Sequence, residues 1–409
     1  MEWKEVTLGD LCEISSSKRI FAKEYQTNGI PFYRGKEIIE KQKGNTISNE
    51  LFISRNRFEE IKAKYGVPQQ RELLLTSVGT LGVPYVIKEE EFYFKDGNLT
   101  WFRHFNELDV EYLYYWFLSP YGKNEINAKA IGSTQKALTI DSLSKFNIKI
   151  PVKLEDQRRI ASILSSLDRK IELNNKINAD LEEMAQAIFK NWFVDFEPFK
   201  DGKFVDSELG MIPEGWKVGR LDEIADVVGG STPSKAKPEY YTQKGIAWLT
   251  PKDLSNHPAV YTSRGEIDIT EEGYNSTSTK LMPKGTVLFT SRAPIGYISI
   301  AQNDICTNQG FKSLVPKKAG TCFLYCFLKY VTPEIENKST GSTFKEASGS
   351  LMKSLQVIMP EQKVFEDFET IVSPLFARIE SLEKENSRLS TLRDTLLPRL
   401  MSGELEVPE

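Results

Sequence analysis

An internal repeat covers nearly the whole chain and constrains its fold more than any other feature. Trp3-Lys4 near the beginning returns as Trp216-Lys217, and Thr76-Ser77 returns as Thr290-Ser291. The spacing between matched positions stays almost constant, which indicates that the copies differ only by small loop changes. Because the matches fall on apolar and turn positions, the sequence predicts one fold that is used twice with different surfaces.

Each copy divides into a mixed region and a long helix. The mixed region is rich in turns and short β-like runs, and it ends in a strand-like segment before a proline, at 146–151 and again at 355–360. We predict an α+β protein in which two repeated mixed α/β domains are separated by two long antiparallel coiled-coil helices with pseudo-twofold symmetry. The predicted boundaries are 1–151 for the first domain, 152–194 for the first helix, 195–215 for a linker, 216–360 for the second domain, 361–401 for the second helix and 402–409 for a tail.

Both predicted helices carry a heptad pattern, in which apolar positions alternate in steps typical of an a/d seam. Asn178 and Asn386 occupy equivalent seam positions, where a polar residue costs stability but fixes register and orientation. The pattern slips near Leu392 and Leu396, and Pro374 predicts a kink or a restart. The predicted seam consists of Ile160, Leu164, Leu167, Ile171, Asn174, Asn178 and Leu181 in the first helix, and of Leu375, Ile379, Leu382, Asn386 and Leu389 in the second.

The length of these helices indicates what they pack against. One helix from Glu155 to Lys190 would be about 54 Å long. So long an element needs a partner along its whole seam, and the comparable seam in this sequence is the other helix. The alternative is an amphipathic helix that packs on its own domain. Antiparallel pairing would place the two domains at opposite ends of a rod, which suits DNA-reading modules spaced roughly 34–36 Å apart, one turn of DNA.

Several local strings carry a family resemblance. The Gly-Ser-Thr-Gln-Lys loop at 132–136 leads to Ile150-Pro151 and then to the Glu-Asp-Gln-Arg-Arg-Ile run at 155–160. Together with the repeat and the helices, these strings make the chain resemble the specificity subunits of type I restriction–modification enzymes over essentially its whole length. In the second copy Glu361 follows Pro360 directly, which leaves the start of the second helix open. The other strings lie at 189–196, 248–254 and 307–311.

The resemblance implies a role in DNA recognition without catalysis. Two target-recognition domains would each read one half of an asymmetric, bipartite site in double-stranded DNA. The helices would set the gap between the half-sites and dock two methyltransferase subunits, which in turn recruit the restriction subunits. No cofactor is expected in this chain, whereas the partner subunits would use S-adenosylmethionine, ATP and Mg²⁺.

Candidate DNA contacts follow from chemistry, since Arg, Lys, Asn, Gln, Ser and Thr on loops read base edges, and Lys and Arg bind phosphates. The recurrent Gly-Ser-Thr-x-Lys loops are favoured most, and the alternative is that they brace the turn before the final strand. The candidates are Lys18, Arg19, Arg34, Lys36, Ser77, Thr80, Asn98, Ser133, Thr134 and Lys136 in the first domain, and Ser231, Thr232, Lys235, Lys252, Ser291, Arg292, Asn308, Gln309, Ser342, Thr343 and Lys345 in the second.

No motif for catalysis or metal binding emerges from the sequence. The two histidines, His104 and His257, lie in different copies, and we interpret them as surface or loop residues. Neither a phosphate-binding loop nor the Pro-Pro pair of an adenine methyltransferase motif occurs. Cys322 and Cys326 are spaced like half a metal site, but we favour two small residues on one face of a buried helix.

Composition bounds the remaining possibilities. Four sparse cysteines, a charged start and no long apolar run predict a cytosolic protein. The net charge of −4 argues mildly against a DNA binder that acts alone, because such proteins usually carry a basic excess. Two alternatives stay open: a rod-shaped transcription regulator, and a nuclease or methyltransferase with degenerate motifs.

Overall fold

The chain divides into two compact units in the computed structural model, which describes residues 1–44, 47, 51–132, 136–292, 294–339 and 345–407. Unit 1 comprises Met1–Glu172 and Ser387–Glu409, and unit 2 comprises Leu173–Asn386. Each unit therefore contains one of the two predicted mixed domains together with part of each long helix.

Unit 1 is a mixed α/β domain with the N-terminal part of one long helix. Its elements are β1 (Trp3–Thr7), α1 (Leu8–Leu11), β2 (Glu13–Ser15), β3 (Ile30–Tyr33), α2 (Gly35–Gln42), β4 (Leu51–Ile53), α3 (Arg55–Tyr65), β5 (Leu73–Thr76), β6 (Pro84–Val86), β7 (Tyr93–Phe94), β8 (Leu99–Arg103), α4 (Val110–Leu118), α5 (Pro120–Lys129), α6 (Ile140–Ser144), β9 (Asn147–Pro151) and the beginning of α7 (Leu154–Phe193).

Three small sheets organise unit 1. Strand β1 pairs antiparallel with β9, and a four-stranded antiparallel sheet has the order β2-β8-β5-β6. In the third sheet, β3 pairs antiparallel with β4 and parallel with β7. The apolar helix α4 lies at the centre of the main core, where Tyr112, Leu113 and Phe117 are buried with residues of β5 and β8.

Unit 2 contains the second mixed domain and the remaining part of the long helices. Its elements are β10 (Phe204–Val205), β11 (Ile212–Pro213), β12 (Lys217–Arg220), α8 (Leu221–Ile224), β13 (Ala225–Gly229), β14 (Tyr241–Thr242), β15 (Trp248–Leu249), α9 (Pro251–Asn256), β16 (Tyr261–Thr262), β17 (Asp268–Ile269), α10 (Glu271–Asn275), β18 (Val287–Ser291), β19 (Ile295–Ala301), β20 (Cys306–Thr307), β21 (Lys312–Pro316), α11 (Thr321–Lys338), α12 (Gly349–Ser354), β22 (Gln356–Met359) and α13 (Gln362–Ser402).

The sheets of unit 2 repeat the connections of unit 1. Strand β12 pairs with β22 as β1 pairs with β9, and the order β13-β21-β18-β19 matches β2-β8-β5-β6, with β16 added at one edge. The parallel pair of β15 and β20 matches that of β3 and β7. The prediction of one mixed α/β fold used twice is therefore confirmed.

The two long helices are close to their predicted positions. Helix α7 contains 40 residues and α13 contains 41, and both run without interruption. Helix α13 begins at Gln362, which settles the boundary that the sequence left open. The predicted restart at Pro374 is wrong, because α13 runs through the proline without a break, and the kink stays a prediction. The proline is exposed, while Val372 and Phe376 on either side of it are buried in the core of unit 2. Packing of that apolar face outweighs the lost helix hydrogen bond.

Within each unit, residues of both long helices share a core with the mixed domain. In unit 1, Ile160 and Leu164 of α7 belong to the same buried cluster as Leu397 and Leu400 of α13. Leu392 is 46% exposed, as expected where the heptad pattern slips. Every predicted seam residue is buried or partly buried, and each long helix packs against its domain as well as against the other helix.

In unit 2 the polar seam positions meet. Asn174 Nδ2 donates a hydrogen bond to Asn386 Oδ1 at 2.8 Å, and Asn386 Nδ2 donates to Asn175 Oδ1 at 2.8 Å. Asn178, the seam residue that the sequence matches with Asn386, is 8% exposed. Asn386 of the second helix therefore bonds with Asn174 and Asn175, which lie one turn before its sequence equivalent, Asn178, in the first helix.

The segments predicted as linker and tail are folded onto the domains. Phe196 and Ile212, which lie near the two ends of the 195–215 segment, are buried in the core of unit 2. In unit 1, Val407 of the tail is buried, and the Met1 ammonium lies 3.1 Å from Glu406 Oε1. None of the helices in the described part of the chain is both long enough and apolar enough to cross a membrane.

Candidate nucleic-acid interface

In unit 1, a buried serine joins three of the predicted loops. The Ser77 amide donates a hydrogen bond to the Asn98 carbonyl at 2.8 Å, and the Ser77 carbonyl accepts one from the Leu138 amide at 2.9 Å. Val78 forms a β-bridge with Ala137, the residue after Lys136. The loops after β5, before β8 and before α6 are therefore neighbours, although they are far apart in sequence.

Two further loops join this group. Ser17 Oγ donates to the Phe94 carbonyl at 2.8 Å, and Arg19 Nε donates to Asp96 Oδ2 at 2.8 Å. The Lys95 amide donates to the Tyr33 carbonyl at 2.8 Å, next to Arg34. We call the surface formed by residues 16–19, 34–36, 77–82, 95–98 and 136–137 the first loop face.

Unit 2 repeats the same connections with different residues. The Ser291 amide donates to the Gly310 carbonyl at 2.7 Å, and the Ser291 carbonyl accepts from the Ala347 amide at 2.9 Å. The Ser231 amide donates to the Thr307 carbonyl at 2.9 Å, and Thr232 Oγ1 is hydrogen-bonded to Gln309 Oε1. We call the surface formed by residues 231–235, 250–252, 291–292, 308–310 and 345–347 the second loop face.

The two buried serines cannot contact DNA as predicted. Ser77 is 1% exposed and its hydroxyl is hydrogen-bonded to Thr100 Oγ1 at 2.6 Å, while Ser291 is fully buried and its hydroxyl donates to the Gly310 carbonyl at 3.2 Å. The threonine before each serine also has the same role in both copies, since Thr76 Oγ1 accepts from the Val83 amide at 2.9 Å and Thr290 Oγ1 from the Tyr297 amide at 2.8 Å. Each serine connects the loops beneath the surface of its domain, because all its hydrogen-bonding groups have partners inside the domain.

Several predicted phosphate contacts already have carboxylate partners. Arg34 Nε donates to Glu37 Oε2 at 3.2 Å. Burial would raise the pKa of Glu37, but hydrogen bonds from Arg34 outweigh it and leave the pKa below its usual value. Lys252 lies 3.4 Å from Glu266, and Lys36 lies 3.9 Å from Glu40. The exposed members of such pairs can exchange partners at low cost, since surface ion pairs contribute little.

The other described candidates lie on the loop faces with their side chains partly or fully accessible. Lys18 lies 4.6 Å from the centre of the Tyr65 ring, and Lys345 donates to the Glu336 carbonyl at 3.2 Å. Ser133, Thr134, Ser342 and Thr343 lie outside the described residues. The remaining exposed or half-buried candidates are Arg19, Thr80, Asn98, Lys136, Ser231, Thr232, Lys235, Arg292, Asn308 and Gln309.

The structure adds two charged residues to the second loop face. Glu346 forms a β-bridge with Arg292, its carboxylate lies 3.4 Å from the Arg292 guanidinium, and Lys312 Nζ approaches it to 3.6 Å. Sequence reasoning stopped at Lys345 and missed both residues. The strand-like start of β21 gave no signal that Lys312 would point toward a loop from a distant part of the chain.

The histidines and cysteines occupy the places that the sequence favours. His104 is exposed and bonded to Glu13, and His257 is exposed at the end of α9. Cys322 and Cys326 are buried on α11, where burial raises the pKa of both thiols. Within the described ranges, no three His, Cys, Asp or Glu side chains form a group suited to a metal ion.

Two copies of one fold, each with a polar face built from equivalent loops, define a class of tandem recognition proteins. The sequence matches the family described as "Type I restriction modification DNA specificity domain" twice, over residues 1–183 and 213–390. The chain therefore belongs to the specificity subunits of type I restriction–modification enzymes.

Individual relatives agree with this assignment. The HindI specificity subunit of Haemophilus influenzae is 28% identical over 339 residues, which are 68% of this chain and 73% of that protein. The MjaIX specificity subunit of Methanocaldococcus jannaschii is 40% identical over 193 residues, which are 46% of this chain and only 44% of that protein. The crystal structure of an S subunit from M. genitalium shares the fold, with a TM-score of 0.59 at 18% identity over 98% of this chain and 96% of that one.

Proposed function

We propose that this chain recognises a bipartite, asymmetric site in double-stranded DNA and reads one half-site with each loop face. The observation that carries the proposal is the combination of a shared scaffold with unlike surfaces. Ser77 and Ser291 hold equivalent loops with equivalent backbone bonds, yet the β-bridge beside them joins Val78 to Ala137 in the first face and Arg292 to Glu346 in the second. Direct readout depends on such side chains, so unlike faces would read unlike sequences.

We further propose that α7 and α13 form an antiparallel coiled coil around a pseudo-twofold axis. In unit 2, Asn174 bonds with Asn386 while Phe189 stacks near Phe368, so contacts later in α7 are made with residues earlier in α13. In unit 1, Arg393 of α13 pairs with Asp168 of α7 at 2.6 Å. These contacts support opposite directions of the two helices in each unit.

The same helices would dock two methyltransferase subunits. Met184 and Leu392 occupy matching positions in α7 and α13, and their side chains are 52% and 46% exposed. Exposed apolar side chains at matching positions suit two copies of one partner. Catalysis would lie in these subunits and in restriction subunits bound through them, which would use S-adenosylmethionine, ATP and Mg²⁺, and this chain would bind no cofactor.

An exchange of domains tests the proposal. Residues 1–151 would be replaced by the corresponding domain of a relative that recognises another sequence, in a strain that carries the partner subunits. Sequencing of methylated DNA should show a new site that differs from the original in one half only. The matched exchange of residues 216–360 should change the other half. A change in both halves after a single exchange would contradict the assignment of one half-site to each domain.

A further inference from the structure

A cleft in unit 2 adjoins the second loop face, and its described lining residues include none of those that the sequence singled out. Its volume is about 540 Å³. Three basic side chains and three hydroxyls line it: Arg220, Lys338 and Lys353, with Ser348, Ser350 and Ser354. The end of β12, the end of α11 and the helix α12 contribute these residues, so the cleft exists only in the folded domain.

The charge around this cleft is positive. Arg220 is paired with Asp222 at 2.7 Å, and Lys338 with Glu334 at 2.6 Å. Lys353 is exposed, and among the described residues it has no carboxylate within ion-pair distance. The one carboxylate in the lining belongs to Glu346, which Arg292 and Lys312 already neutralise. Lysine, arginine and clustered hydroxyls are the groups that bind phosphate oxygens.

The cleft is continuous with the second loop face. Glu346 lines the cleft and forms the β-bridge with Arg292, while the next residue, Ala347, donates its amide to the Ser291 carbonyl. A duplex that contacted Arg292 would therefore bring its backbone close to Lys353. This position suits a contact that holds DNA without reading its sequence.

Unit 1 has only part of this set at the matching positions: Lys129, paired with Glu125 at 3.1 Å, matches Lys338, but Ser144 stands where unit 2 has Lys353. Its helix α6 corresponds to α12, and there Lys145 is paired with Asp141 at 2.8 Å. Thr7 ends β1 where Arg220 ends β12, and its hydroxyl donates to Asp10 at 2.6 Å. Arg220 and Lys353 are therefore features of the second domain, whereas a lysine at the position of Lys338 occurs in both copies.

We propose that this cleft binds a phosphate group of the DNA backbone beside the second half-site, with Lys353 and Lys338 as the contacting cations and one hydroxyl of the Ser348–Ser350 pair as an additional donor. The inference rests on the proposed function, because it names the groups that would hold the same DNA. Phosphate oxygens also occur in free anions such as pyrophosphate, so the experiment distinguishes the two sources.

DNA binding by the full chain, assembled with its methyltransferase subunits, would be measured over a series of salt concentrations. Lys353→Ala should weaken binding about tenfold at low salt, because one charge-assisted hydrogen bond is lost. The salt slope should fall by about one unit, and cognate and unrelated DNA should be affected alike. Lys338→Ala should have the same effect to a smaller extent, since Glu334 shares its charge.

Lys284→Ala is the matched control. This lysine is also exposed, but it precedes β18, whose opposite end carries Ser291 and the loop face. Its replacement should leave both affinity and salt slope unchanged. Circular dichroism and thermal unfolding of all variants would establish that each is folded.

Four other results of these experiments would contradict the proposed phosphate contact, and each has a different meaning. The Lys338→Ala/Lys353→Ala double variant could show the affinity and salt slope of a wild-type chain that binds normally. This result would overturn the phosphate contact in the cleft and leave the proposed function intact. Relaxed discrimination at one base position with an unchanged slope would assign Lys353 to base reading instead. Calorimetric binding of pyrophosphate that these variants abolish, without any effect on DNA, would assign the cleft to a free anion. Absence of site-specific binding by the wild-type assembly would overturn both proposals.

Discussion

The two units fasten their mixed domains to the long helices with different chemistry. In unit 1 a neutral amide makes the connection: Gln157 of α7 is fully buried, accepts a hydrogen bond from the Asp109 amide at 2.8 Å and donates to the carbonyls of Glu107 and Pro151 at 2.9 Å each. All three of these backbone groups belong to the mixed domain. This connection therefore carries no charge on its side chain, whereas Asp168 of the same helix accepts from the Tyr115 hydroxyl at 2.7 Å.

In unit 2 carboxylates of α13 make the corresponding connections. Glu369 accepts from the Phe323 amide at 2.8 Å and so caps α11, whose N-cap residue Gly320 offers no side chain. Glu383 accepts from the amides of Val260 and Tyr261 at 2.7 and 3.0 Å. Burial raises the pKa of Glu383 to about 7, Glu182 and Glu380 add to the rise, and the two backbone amides oppose it.

This difference shows that a fold can be repeated while the side chains that attach each domain to the long helices change. A glutamine bonded to two carbonyls and one amide is indifferent to pH near neutrality. A buried carboxylate that receives two amides has favourable hydrogen bonds, but it carries a charge that burial disfavours. Unit 2 should therefore respond to pH through Glu383, whereas the connection at Gln157 in unit 1 should not.

The largest expected effect is a difference in stability between variants of the two glutamines of α7, Gln157 and Gln186. Gln157→Ala should lower the free energy of unfolding by about 3 kcal/mol, because it leaves buried backbone groups without partners. Gln186→Ala, at the other end of the same helix, should cost less than about 1 kcal/mol, since Gln186 makes one bond of 3.4 Å to the Cys326 carbonyl. Denaturant unfolding would measure both. Equal costs would remove the special role of Gln157.

The next effect concerns pH. Because the pKa of Glu383 is raised in the folded state, its folded form holds a proton more strongly than the unfolded form, and stability falls as pH rises from about 4.5 to about 7. From pH 5.5 to 7.5 this loss should be about 2 kcal/mol, and it should disappear in Glu383→Gln.

Thermal unfolding at several pH values would measure the difference between the wild-type chain and this variant. Glu366→Gln is the control, because Glu366 lies on the same helix with an exposed side chain. A Glu383→Gln variant that retained the full pH dependence of the wild-type chain would place its origin at another group.

The smallest effect tests a charged contact in unit 1. Arg393 and Asp168 are 29% and 30% exposed, and Asp168 also accepts from the Tyr115 hydroxyl at 2.7 Å. A double-mutant cycle with Ala at both positions should give a coupling of about 1 kcal/mol. The same cycle on the exposed pair of Lys363 and Asp367 should give about 0.3 kcal/mol. A coupling no larger than that of the control pair would show that Arg393–Asp168 contributes little to unit 1.

The sequence by itself determined the repeat, the two long helices and the positions of the loops. These features depend on local patterns, namely matched turn residues and apolar positions at heptad spacing, and such patterns are visible without knowledge of the fold. The sequence predicted long helices at 152–194 and 361–401, and the structure has α7 at Leu154–Phe193 and α13 at Gln362–Ser402. The family resemblance, which rests on the same strings, was confirmed by the match over residues 1–183 and 213–390.

Only the tertiary structure decided which polar residues are available. Ser77 follows β5 and Ser291 ends β18, where exposed serines are common, but backbone bonds to distant segments enclose both residues. The groups that surround Lys312 and Lys353, and the amides that bond to Glu383, likewise belong to segments that are remote in sequence. Exposure and electrostatics are set by these long-range contacts, whereas a local pattern specifies only which element a residue belongs to.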